Sequence, residues 1–127
     1  MKKIVQEWIL KAENDYLVAM REFKGEPLIP DAVCFHSQQC IEKYMKAVLE
    51  ENNKEFEKVH DLNVLLQSCI SFIPELENQR KELAILSAYA VDIRYPGISA
   101  SEEEARECIN IMETVRSIMR KYFKLSE

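Results

Sequence analysis

The sequence predicts an all-α fold: an up-and-down helical bundle of four long helices plus one short helix, built as a single domain over residues 1–127. Three observations carry this expectation. Glycine occurs twice and proline four times, at Gly25, Pro27, Pro30, Pro74, Pro96 and Gly97, so long tracts run without a helix breaker. Within those tracts apolar residues recur at helical spacing, and no segment shows the alternation of a half-buried strand. The connectors are short, which favours antiparallel neighbours.

The first helix is expected from about Ile4 to Lys24, with Val5, Trp8, Ile9, Ala12, Tyr16, Ala19, Met20 and Phe23 along one face and Gly25 at its end. GEPLIP follows as a connector, because its two prolines lack donors and bias the preceding residues away from helix. Asp31 is placed to cap a second helix that runs to about Glu51. A short third helix opens at His60-Asp61-Leu62, with Asp61 as its cap and Leu62, Leu65, Leu66 and Cys69 inward. A fourth is expected over about Glu75 to Ile93, with Leu76, Leu83, Leu86, Ala90 and Ile93 on one face. Pro96 then pushes Tyr95 out of helical geometry. In SASEEEA, Ser101 and Glu104 have the spacing of a capping box, and the acidic run lies at the positive pole of the fifth helix. That helix buries Ala105, Cys108, Ile109, Met112, Val115, Met119 and Tyr122.

Composition narrows the function classes. Apolar residues make up 47% and charged residues 31%, the profile of a folded domain rather than a disordered one. The net charge of −5 weighs against broad, sequence-blind binding of nucleic acid, which needs a surplus of Lys and Arg, although a local basic seam is compatible with it. No apolar run reaches the length of a membrane span, and the N-terminal stretch turns acidic too early for a signal peptide, so a soluble, cytoplasmic protein is expected. Cys34, Cys40, Cys69 and Cys108 show no zinc-type spacing and fall within apolar helical stretches, as small buried hydrophobes do.

The stretch from Cys34 to Ala47, CFHSQQCIEKYMKA, raises the functional question. On a helical wheel, Val33, Cys34, Ser37, Cys40, Ile41, Tyr44, Met45, Ala47 and Val48 share a broad apolar arc. Gln39, Lys43, Lys46 and Glu50 project opposite, with Gln38 and Glu42 beside them. One reading is a solvated face with weak i,i+4 pairs such as Glu42 to Lys46. The other notes that Phe35 and Leu49 also fall on this polar side, where they would meet another chain, while Gln39, Glu42 and Lys46 line a polar cleft. His36 and Cys40, four apart, supply too few ligands for a metal site, and no metal or other cofactor is expected. His60 beside Asp61 reads either as an acid–base pair or as a helix opening next to its cap. Arg94 reads as a partner of the fourth helix's negative pole or as a carboxylate anchor.

The order of four pieces, WILKAENDYLVA, FHSQQCIEKYMKA, HDLNVLL and AYAVDIRYPG, resembles the HEPN family, the higher eukaryotes and prokaryotes nucleotide-binding domain, across nearly the full chain. The resemblance implies a helical bundle that dimerises through its central helices. It further implies partnership with a minimal nucleotidyltransferase in toxin–antitoxin pairs. Nuclease members of the family carry Arg, four to six residues, then His. Counted from Arg94, that His would fall at 99, 100 or 101, where this chain has Ser99, Ala100 and Ser101. Without the imidazole, acid–base chemistry near neutral pH lacks its main agent.

On this resemblance the expected protein is non-catalytic or weakly active, dimeric, binds a nucleotide or RNA, and pairs with a nucleotidyltransferase. Lys43, Lys46 and Arg94 would meet phosphate, Gln39 and Glu42 would hold base or ribose, and Tyr95 would stack or donate its hydroxyl. Two alternatives stand beside it. One is a metal-independent ribonuclease toxin that uses Arg94 with Tyr95, Ser99 or Ser101. The other is a structural homodimer whose polar seam is a buried network.

Overall fold

The structure, a computed structural model, describes residues 1–89 and 95–126. Among the described residues five α-helices follow in order: α1 (Lys3–Phe23), α2 (Pro30–Glu51), α3 (Leu62–Cys69), α4 (Arg80–Ala88) and α5 (Glu102–Tyr122). No strand occurs among the described residues. Among the described residues no helix is long and apolar enough to cross a membrane.

α2 is the axis of the bundle. α1 and α5 pack most extensively against it, and α3 and α4 close a further side. The burial pattern shows how complete this enclosure is. Tyr44, Met45, Lys46, Ala47, Val48 and Leu49 are six consecutive buried residues, more than one full helical turn, so this part of α2 has no solvent face. α1 is conventional by contrast, with Val5, Ile9, Ala12, Asp15 and Ala19 forming one buried stripe. The four cysteines are all buried and free.

Helix ends follow local chemistry. Ser101 and Glu104 form the expected capping box, each side chain bonding the other's backbone N–H at 3.0 and 2.9 Å. Asp61 caps α3 by accepting from Asn63 N at 2.9 Å. Asp31 does not cap α2. That helix begins one residue earlier, at Pro30, whose missing N–H is tolerated in a first turn, and Asp31 Oδ1 instead accepts from Ala100 N at 2.7 Å. The fourth helix also differs from expectation: Pro74–Gln79 winds as a 3-10 segment, and α-helix proper starts at Arg80. Leu76, Leu83 and Leu86 are buried as expected, whereas Ala90 and Ile93 lie outside the described residues.

The expectation for Leu49 is corrected here. It is 0% exposed within the single chain, because the polar side of α2 is itself covered, so it is not an exposed anchor for a second chain. Leu49→Ala is therefore expected to cost about 2 to 5 kcal/mol of stability through the cavity left behind. Urea unfolding checks this; a change in oligomeric mass with unchanged monomer stability would be the contrary result.

Candidate functional site

Three groups of polar side chains converge on α2. The first centres on Glu42, which is 2% exposed. Its carboxylate accepts from Lys46 Nζ at 2.9 Å and from Gln38 Nε2 at 3.2 Å, and His60 Nδ1 lies 3.1 Å from both oxygens. Gln38 also donates to His60 O at 2.9 Å and accepts from Gln39 Nε2 at 2.8 Å. Lys46 is itself 7% exposed, and its ammonium lies 5.5 Å from the Trp8 ring centre and 5.9 Å from that of Phe56. A carboxylate and two aromatic faces thus replace the water that the ammonium has lost.

The second group ties α1 to α2. Asp15 interrupts the buried stripe of α1, and its two oxygens meet Lys43 Nζ at 2.5 Å and His36 Nδ1 at 2.8 Å. The third group reaches α5. Arg116 grips Glu13 with two parallel bonds of 2.7 Å and lies 3.9 Å from the Tyr16 ring centre, while Arg120 and the buried Tyr44 add further contacts to the same carboxylate. Burial pushes the Glu13 carboxyl up, but the hydrogen bonds from Arg116 and Tyr44 and the charges of both arginines outweigh it and hold the group below its ordinary value. Burial, and then the hydrogen bond to Glu13, raises the Tyr44 hydroxyl. Burial likewise raises the Cys40 thiol and pushes that of Cys69 up to about 12, which makes both poor nucleophiles.

The expected site residues therefore divide. Glu42 and Lys46 are hidden inside the chain and satisfied by each other, which corrects the reading of a solvated face. Gln39 and Lys43 are partly exposed along the same helix. Phe35 is partly exposed too, edge-on to His36. Tyr95 opens a turn with Pro96 next and Gly97 at φ +91°, a backbone conformation that favours glycine, and the tyrosine is 61% exposed. Arg94 lies outside the described residues. His60 does not pair with Asp61, whose Oδ1 is occupied by Asn63 and Ser87; the histidine turns to Glu42 instead. Ser87 also accepts from Leu62 N at 2.9 Å, which holds the start of α3 against the last turn of α4. Among the described residues there is no group of three or more His, Cys, Asp or Glu that could hold a metal ion.

Sequence reasoning did not find Asp15 and Glu13, the two α1 carboxylates. Their signal was available: Asp15 falls at the helical spacing of Ala12 and Ala19, inside an otherwise apolar stripe.

The HEPN domain family matches residues 5–122, nearly the whole chain and all five helices. The chain belongs to the HEPN family. This HEPN chain is 26% identical to the putative toxin MJ1304 of Methanocaldococcus jannaschii, over 96% of its own length and 90% of that protein. Its fold is shared by TT1696 from Thermus thermophilus, with a TM-score of 0.80 at 15% identity, covering 95% of this chain and 99% of that one. ST0689, an archaeal HEPN homologue, aligns with a TM-score of 0.72 at 27% identity over 95% of this chain and 98% of its own.

Two outcomes test the polar groups of this HEPN bundle. Glu42→Ala leaves the Lys46 ammonium buried without its carboxylate and is expected to cost about 3 to 5 kcal/mol, whereas adding Lys46→Met should recover most of that loss. A double-mutant cycle by chemical denaturation reads this directly. For Glu13, a folded value below the unfolded one means that its stabilisation is present above about pH 4.3 and is lost as pH falls through the lower, folded value. The stability gap between wild type and Glu13→Gln should accordingly narrow on acidification from about pH 6 to about pH 3 in urea titrations.

Proposed function

We propose that this HEPN protein works in a toxin–antitoxin-like pair as a dimer that binds a nucleotide or an RNA, cleaves RNA weakly or not at all, and is partnered by a minimal nucleotidyltransferase. The observation that carries the catalytic part is the replacement of the family's nuclease histidine by Ser99, Ala100 and Ser101. Neither remaining histidine is free to substitute without rearrangement, since His36 is held by Asp15 and His60 by Glu42. The naming of the Methanocaldococcus jannaschii relative as a putative toxin supports the biological setting.

Ligand contact falls to Lys43 and Arg94 for phosphate, Gln39 for base or ribose, and Tyr95 for stacking. Glu42 and Lys46 act behind them as the buried support that fixes the pitch of Gln38 and Gln39. Lys43 already neutralises Asp15, so a phosphate there shares the ammonium with a carboxylate and binds more weakly than at an unpaired lysine. Phe35 remains the proposed dimer contact on α2. The second reading, a metal-independent ribonuclease toxin using Arg94 with Tyr95, Ser99 or Ser101, draws on the same relative's name.

Incubation with fluorescent RNA in the presence of chelator separates the two. The expected outcome is absent or very slow cleavage, since losing general acid–base assistance removes a factor of about 10² to 10⁴ in rate. Robust cleavage that vanishes in Arg94→Ala would establish the ribonuclease instead. Calorimetry with nucleoside mono- and triphosphates should show binding that Arg94→Ala weakens without loss of helix content. Light scattering should give about twice the chain mass.

A further inference from the structure

A cleft of about 320 Å³ opens between the connector after α2 and the outer face of α3, lined by Glu55, Phe56, Glu57, Val59, Val64, Leu65 and Ser68. Its chemistry is two-part. Phe56, Val59, Val64 and Leu65 make an apolar floor, and Val64 is 53% exposed on a helix whose other apolar residues point inward. Glu55 and Glu57 stand at the rim. Both are exposed, and neither carboxylate has an ion-pair or hydrogen-bond partner among the described residues. Lys54 and Lys58 flank them in sequence but do not line the cleft.

We propose that this cleft is a docking site for a segment of a partner protein that inserts an apolar side chain and flanks it with Lys or Arg. The apolar floor supplies the burial, and the two unpaired carboxylates select cationic flanks over acidic ones. This surface is separate from the polar side of α2, and the inference does not depend on nucleotide binding there. One residue connects the two. Phe56 lines the cleft and also stands edge-on to Trp8 at 6.3 Å and beneath the Lys46 ammonium, so an occupant touches one ring of the aromatic pair that shelters the Glu42–Lys46 ion pair, and Trp8 senses it through Phe56.

Trp8 is the chain's single tryptophan, which makes the contact readable by fluorescence. The probe is the peptide acetyl-Lys-Arg-Phe-Leu-Arg-Lys-amide, with two controls: the same peptide with Glu at the four basic positions, and a tetralysine amide without the apolar pair. The basic apolar peptide is expected to change Trp8 emission saturably with Kd below about 1 mM. Binding should weaken roughly tenfold or more in Glu55→Lys/Glu57→Lys and in Val64→Glu, whose side chains are exposed, with melting temperatures held close to wild type. Added salt should weaken it as well. No saturable change overturns the proposal, as does equal binding of either control or of the two variants. A fall from dimer to monomer in Val64→Glu by light scattering would overturn it in another way, by assigning the face to a second copy of the chain.

Discussion

Enclosing the Tyr44–Leu49 stretch of α2 on every side obliges the charged groups buried on that helix, Glu42 and Lys46, to find partners inside the chain. Burying an ammonium or a carboxylate costs several kcal/mol unless an opposite charge and further hydrogen bonds replace the lost water. The rest of the bundle is arranged to meet that demand. α1 supplies Asp15 to Lys43 and Trp8 to Lys46, α5 supplies the arginines that satisfy Glu13 beside Tyr44, and the segment before α3 supplies His60 to Glu42. The bundle's register is thus fixed twice, by apolar packing and by pairs that match at one offset of the helices.

The same arrangement decides what the HEPN chain can offer a ligand. Charges held in buried internal pairs fix geometry rather than bind. Partly exposed beside them are Gln39 and Lys43, the latter shared with Asp15, and Tyr95 is exposed at a Pro-Gly turn. The turn is flanked by fixed points: Tyr89 donates its hydroxyl to Glu104 at 2.8 Å on one side, and Asp31 accepts from Ala100 N on the other. Tyr89 and Ala100, on either side of the turn, are therefore tied to α5 and α2.

Much of this was legible in the sequence because helix boundaries depend on neighbours in the chain. The capping box at Ser101 and Glu104, the Asp61 cap and the breakers at Gly25 and Pro96 are local devices, and local devices can be read locally. The errors arose where a distant partner decided the outcome. Asp31 had the composition of a cap but serves Ala100, 69 residues away. Pro74–Gln79 is a separate case, where a short proline-led stretch with Leu76 buried winds as a 3-10 segment before α4. Above all, a wheel shows which side of α2 is polar but not whether that side is covered. The large apolar residues Phe35 and Leu49 on the polar side were the visible sign of cover, and for Leu49 the cover comes from the chain itself.

The two kinds of ion pair around α2 also set different paths for sequence drift. TT1696 keeps the fold at 15% identity, so drift within this architecture is extensive. Glu42 and Lys46 form a buried couple in which loss of the carboxylate strands the ammonium, so neither position drifts freely unless the other changes in step or becomes apolar. Glu13 is gripped by Arg116, Arg120 and Tyr44 together, and any one of those can change while the others hold the carboxylate. Paired covariation belongs to the first arrangement, which lies within α2, and independent tolerance to the second, which is shared among α1, α2 and α5, so the bundle holds both an evolutionary lock and an evolutionary buffer.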